Sequence, residues 1–189
     1  MPDDIVAAIH ARRSIGRLSL EPLPRALVKE LLDAAACAPN HHLTGPWRFI
    51  VLAGEARRAV GEAHARAAVR ERPDITPSGR EKEVARLERA PVVIACCVVP
   101  GDDPVTARED RDAVAAAIQN MLLAAHVRGL GAMWRTGAMV DEPEVRAELG
   151  LTGAQAIVGF VYLGRPFTPI AARATPRTDA EPLTDWRGW

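Results

Sequence analysis

The chain has 189 residues, with 24 basic and 24 acidic side chains and a formal net charge of +0. No basic stripe is visible, so nucleic acid is not an expected partner. A hydrophobic content of 48% is enough for a substantial core, and one domain is expected at this length.

The N-terminus reads Met-Pro-Asp-Asp, with no basic segment ahead of an apolar one, so no secretory signal is expected. Ile5, Val6 and Ile9 recur at helical spacing over 3–12, with Asp3 or Asp4 near the cap. An extended, Pro-rich linker follows over 18–24, and Pro24 is placed to open the next helix. That helix sets Leu27, Val28, Leu31, Leu32 and Ala35 on one face and stops before Pro39. Trp47–Ala53 reads as a buried strand, followed by a helix over 55–70. The charged stretch 71–89 holds Pro73, Pro77 and Gly79 and is expected to be the least ordered internal segment, a mobile flap.

A strongly apolar strand is expected over 91–99, then a turn-rich loop over 100–106. The helix over 110–127 is apolar nearly all round and should be central. Its apolar stretch is interrupted by Gln119, Asn120 and His126 and is too short to span a bilayer, so no membrane partner is expected. A short strand over 131–135, a short helix over 142–149 ending at Gly150, and a last strand over 156–164 complete the elements. The remainder, 165–189, carries Trp186 and Trp189 without periodicity and is expected to pack on the body of the chain or on a partner. Cys37, Cys96 and Cys97 are an odd set, two of them inside an apolar strand, which points to reduced thiols and a cytoplasmic location.

Two separated segments look like halves of one site. Arg12-Arg13-Ser14 offers two planar guanidiniums and a hydroxyl, which suit a phosphate monoester. The run from Gly129 to Gly137 includes Trp134, Arg135 and Thr136: an aromatic, a cation and a hydroxyl among glycines that allow close backbone approach. Together they suggest an anionic, ring-bearing ligand. A third element is the loop 38–47, where His41 and His42 invite a metal reading. Zinc would need further ligands at familiar spacing, and none is nearby in sequence, so no metal is expected and His41 is read as ligand-facing. A nucleophile elbow, a P-loop and a dinucleotide fingerprint are all absent.

These residues resemble the nitroreductase family of FMN-dependent oxidoreductases, and its small, minimal subgroup in particular. Arg12-Arg13-Ser14 is similar to the family's N-terminal phosphate motif. Ala38-Pro39 through Pro46-Trp47-Arg48-Phe49 is similar to its loop-to-strand signature. The central helix from Ala116 to Ala125, with Gly129-Leu130-Gly131 and Trp134, and the closing strand from Val158 to Pro166 complete the match. The family often carries Asn-x-Gln before Pro-Trp; here those positions are Leu43-Thr44-Gly45, and His41 or backbone groups are the candidates to replace the amide contact.

The resemblance implies an α+β fold, a three-layer sandwich with a central, mainly antiparallel sheet flanked by helices. Strand–helix alternation alone suggests a parallel sheet. The resemblance also implies a homodimer with FMN at the interface, a single domain over 1–166, and an extension over 167–189 that wraps the partner subunit. Arg12, Arg13 and Ser14 would hold the FMN phosphate and ribityl chain, and Arg135 and Thr136 would complete the pocket. Trp134 would line its wall, and His41 and Leu43 would approach from the other subunit. NADH or NADPH would deliver hydride to the flavin N5, for a nitroaromatic, quinone or similar acceptor, by a ping-pong mechanism. The alternatives are a non-catalytic flavin-binding dimer, or a same-fold enzyme that dehalogenates, dehydrogenates or fragments the flavin.

Overall fold

A computed structural model describes residues 5–168 and 177–189. The expectations for Asp3, Asp4 and the middle of the C-terminal extension lie outside the described residues. Four strands form one sheet: β1 (Trp47–Ala53), β2 (Val92–Val98), β3 (Gly131–Arg135) and β4 (Ala156–Gly164), in the order β1-β2-β4-β3. Every pairing among these four strands is antiparallel, in keeping with the mainly antiparallel sheet that the resemblance implies and contrary to the parallel sheet suggested by strand–helix alternation.

The helices are α1 (Ile5–Ala11), α2 (Arg25–Ala36), α3 (Glu55–Glu71), α4 (Pro77–Val84), α5 (Pro104–Val127) and α6 (Pro143–Glu148). Side-chain alternation along a strand decides which layer each residue meets. Val92, Ile94, Cys96 and Val98 of β2 pack with α2 and α5, while Val93, Ala95 and Cys97 pack with α3 and α6. Cys96 and Cys97 thus fill opposite faces of the core, and burial pushes both thiols up, Cys97 to about 11. Cys37, the residue that caps the C-terminal end of α2, is exposed.

A β-bulge in β4 breaks the register between Cys96↔Gly159 and Cys97↔Ile157. It shifts the phase of the strand, so that Ile157, Phe160 and Tyr162 all join the α3/α6 face while Val158, Val161 and Leu163 join the other. The chain between α1 and α2 extends the sheet beyond β3: Ser14 bridges Ala132 and Leu18 bridges Pro166. Gly131 permits this docking, because a Cβ there would lie 2.5 Å from the Leu18 side chain.

Two segments differ from expectation. The stretch 71–89 is not a flap. It forms α4 and a 3₁₀ turn, Ala85–Arg89, with Val84 and Leu87 fully buried against α3. Its charges pair with α3, as in Arg58–Glu81 at 3.1 Å. Helix α5 begins at Pro104, inside the expected loop, because Asp103 accepts hydrogen bonds from the amides of Val105 and Thr106. Among the described residues no helix is long and apolar enough to cross a membrane.

Candidate functional site

Helix α1 ends at Ala11, and Ile15 N donates to Ala132 O at 2.9 Å, so the run Arg12–Ser14 lies alongside β3. On the α5 side of the sheet, Arg12 and Ser14 meet Trp134 and Thr136 in a concavity of about 410 Å³. Gln119 and Leu122, three residues apart on one face of α5, complete its lining. Sequence reasoning missed these two as site residues, although their spacing on a central helix was a usable signal.

The electrostatics favour an anion. Burial lowers the Arg12 pKa, and Arg177 and Arg13 lower it further by repulsion. Arg12 and Arg177 form no ion pair among the described residues. Arg13 donates to the carbonyls of His10 and Arg12, and Arg177 to those of Ile9, His10 and Arg12. Both cations therefore cap the C-terminal end of α1, where the helix dipole favours positive charge. Nothing in the tail's sequence pointed to Arg177. Beside them burial, then Arg12 and Arg13, push the His126 pKa down, and its Nδ1 is buried without a hydrogen-bond partner. A phosphate would relieve this crowding of like charges, so the residues present fit the phosphate end of FMN.

Trp134 walls the concavity by lying over β4. A Cβ at Gly159 would fall 2.0 Å from the Trp134 Nε1, so only glycine leaves room for the indole. That nitrogen is buried without a hydrogen-bond partner. The lining contains no carboxylate, thiol or imidazole among the described residues, so it offers binding groups rather than an acid, base or nucleophile.

Arg135 does not join this concavity. Adjacent strand residues face opposite ways, and Arg135 emerges on the α3/α6 side with its guanidinium 5.5 Å from the centroid of the Tyr162 ring. Thr136, just past the strand, borders both sides of the sheet.

His41 and Leu43 lie on the exposed loop between α2 and β1, His41 beside Glu109 and Asp112 of α5. Leu43 is 90% exposed and holds a left-handed backbone, φ 53°. The loop is firmly built. Asn40 Oδ1 accepts from Gly45 N at 2.7 Å, and the Thr44 hydroxyl donates to buried Asp110 at 2.6 Å. Asp110 also accepts from Gly101 N at 2.8 Å. The fold supplies the third metal-type ligand not found nearby in sequence: one ligand atom each from His41, His42 and Glu109 all lie within 4.8 Å of one another.

Comparison with known proteins identifies the family and the fold. Over 173 residues the chain is 30% identical to a Bacillus subtilis protein named "Putative NAD(P)H nitroreductase YfhC", covering 90% of this chain and 89% of that one. A solved nitroreductase-like family protein from Bacillus cereus superposes with a TM-score of 0.86 at 26% identity, covering 100% of this chain and 98% of that one. A Desulfovibrio desulfuricans protein solved as "a putative nitroreductase in complex with fmn" gives a TM-score of 0.73 at 26% identity, covering 100% of this chain and 99% of that one. The family model described as the Nitroreductase family matches residues 9–165, the span that holds the sheet, α5 and the Arg12–Trp134 concavity, and this chain belongs to that family.

Proposed function

We propose that this chain is an FMN-dependent oxidoreductase that takes electrons from NADH or NADPH and passes them to a nitroaromatic, quinone or similar small acceptor. The observation that carries the reading is the meeting of Arg12 and Ser14 with Trp134 and Thr136 in one cationic concavity without acid–base groups of its own. The FMN complex of the Desulfovibrio relative and the name of the Bacillus subtilis relative support it.

FMN, when bound, supplies the hydride chemistry at its N5. Arg12 and the Ser14 hydroxyl grip the phosphate through charge-assisted hydrogen bonds. Arg13 and Arg177 hold the local potential positive from their posts at the end of α1. Trp134 presents an apolar wall to the ring system, and the Gln119 amide and Thr136 hydroxyl are donors for its polar edge. Arg135 acts from the opposite face of the sheet, so its part is electrostatic rather than direct. Donor and acceptor would use one pocket in sequence, so double-reciprocal plots should be parallel.

The working unit in this reading is a homodimer. Ile5, Val6 and Ile9 of α1 are 69%, 53% and 46% exposed, and Leu183, Trp186 and Trp189 of the tail are exposed as well. Apolar groups in that number call for a partner surface. His41 and Leu43 of one protomer would then reach the concavity of its partner. We take 1–166 as the flavin domain and 167–189 as the extension that holds the dimer together. A cytoplasmic location rests on the unpaired thiols of Cys37, Cys96 and Cys97.

The visible spectrum of the purified protein, with the released cofactor identified, tests the reading. A yellow protein carrying FMN is expected. Colourless protein with no affinity for added FMN would overturn it. NAD(P)H consumption with an acceptor separates the reductase from a non-catalytic flavin-binding dimer, and product analysis separates it from a same-fold enzyme of different chemistry.

A further inference from the structure

On the α3/α6 face of the sheet, Arg86, Arg89 and Arg135 converge on a cleft of about 270 Å³ floored by Phe160 and Tyr162. The carboxylates nearby are already engaged. His64 stands between them, its Nδ1 2.7 Å from Glu142 and its Nε2 3.2 Å from Glu83. Glu83 also accepts from Arg72 at 2.9 Å and from Arg86. Arg89 and Arg135 are left with no ion pair among the described residues.

These cations sit close to one phenol. The Arg135 guanidinium lies over the Tyr162 ring. Burial pushes the Tyr162 hydroxyl up from its ordinary value, while Arg135, Arg89 and Arg86 each pull it back down. Two guanidiniums with no ion pair among the described residues, beside the Tyr162 hydroxyl, form a donor set for an oxyanion, which accepts hydrogen bonds and balances the charge. The volume suits a phosphate-sized group and falls below the usual range for a drug-sized ligand, about 300–1,000 Å³.

We propose that this cleft is a phosphate-group site, separate from the concavity across the sheet, in which Arg89 and Arg135 pair with the oxyanion and Tyr162 donates to it. Thr136 borders both places. The group belongs either to a free anion or to the 2′-phosphate of NADPH.

The test uses the FMN-loaded protein, in which the concavity is already filled. Inorganic phosphate is titrated at low ionic strength by calorimetry. Saturable binding of one phosphate per chain is expected, weakened about tenfold or more in Arg89→Gln, as for loss of a charge-assisted hydrogen bond. Tyr162→Phe keeps the ring and should weaken it severalfold. FMN content should be unchanged in both variants, and their thermal melts report whether they fold. A higher KM for NADPH but not for NADH in Arg89→Gln assigns the group to the nucleotide. Unchanged KM values with phosphate binding lost assign it to a free anion. No saturation by about 10 mM phosphate, where a Kd is worth only about 2.7 kcal/mol, would overturn the proposal. So would binding that survives Arg89→Gln unchanged. If the protein proves not to hold FMN, the reductase reading fails by itself. The same titration on the purified chain, with Arg89→Gln as its control, still decides the cleft.

Discussion

Replacing Gly159 by alanine should displace Trp134, the proposed wall of the flavin pocket. The added Cβ would lie 2.0 Å from the Trp134 Nε1, 2.6 Å from its Cδ1 and 2.9 Å from the backbone oxygen of Arg135. Comfortable carbon contacts fall at about 3.5–4.0 Å, so the indole must move by roughly 1.5 Å or more. The nearby backbone oxygen leaves β4 little freedom to retreat from β3. Overpacking of this kind costs about 1–3 kcal/mol. At this chain length each kcal/mol lowers Tm by about 2–4 °C. The displaced indole has the concavity as its outlet, so FMN retention should fall together with Tm. Thermal melts by circular dichroism and the flavin-to-protein absorbance ratio measure the two effects. A double-mutant cycle isolates the cause. With Trp134→Ala in place, the two closest contacts are gone, and Gly159→Ala should cost about 1 kcal/mol less than in the parent, within the range of couplings measured between touching residues. Equal costs in both backgrounds, or a Gly159→Ala protein with parental Tm and flavin content, would refute the reasoning.

Arg12→Ala should weaken FMN binding by about 1.5–3 kcal/mol, the loss of a charge-assisted hydrogen bond. Arg135→Ala should weaken it less, since that guanidinium lies across the sheet; flavin-fluorescence titration ranks them, and the reverse order would contradict the placement. Arg86, and then Arg72, hold the Glu83 carboxyl down from its ordinary 4.5 to about 2. A depressed pKa stabilises the fold above the unfolded value and loses that contribution as pH falls through the folded one. The stability gap between parent and Glu83→Gln should therefore be full above pH 4.5 and close between 4.5 and 2, as read from urea midpoints; a gap constant across that window would exclude the ion cluster as its source. Truncation after Pro166 should lower dimer stability and FMN retention together, whereas a stable, flavin-loaded monomer by light scattering would contradict the homodimer.

Three strands were legible from sequence at their observed ends: Trp47–Ala53, Gly131–Arg135 and Ala156–Gly164. Each is an apolar run set off by glycine or proline. Strand direction was not legible from alternation, because it depends on which sheet edge each connection returns to; the family motifs supplied it. The two misread segments share one feature. Pro77 falls in the expected flap and Pro104 in the expected loop, yet each opens a helix directly after a capping residue, Thr76 and Asp103. A proline after Thr or Asp signals a helix start as readily as a loop. At the site, Arg12, Ser14, Trp134 and Thr136 were placed together from sequence and are together in the fold. Arg135 was placed with Trp134, but neighbours on a strand face opposite layers, and its guanidinium lies across the sheet from the concavity. His126 and Arg177 come close to Arg12 only through folding, and no local pattern marks them.

Asp110 fixes more than a hydrogen-bond pattern. The chain enters β1 and leaves β2 side by side, with Trp47 paired to Val98 and Val99 N bonded to Pro46 O at 2.7 Å. The two loops that spring from this corner, one through Thr44 and one through Gly101, are tied again on the single carboxylate of Asp110. Each loop is held at both ends, and the two share one anchor. A residue inserted in either would pull the anchor away from the other, so neither loop can change length alone. Variation is left to the side chains at the outer tip, where His41, His42 and Leu43 project without supporting the loop's own hydrogen bonds. Lineages that adapt this corner to new molecules should therefore do so by exchanging residues at 41–43 while conserving the number of residues between α2 and β1.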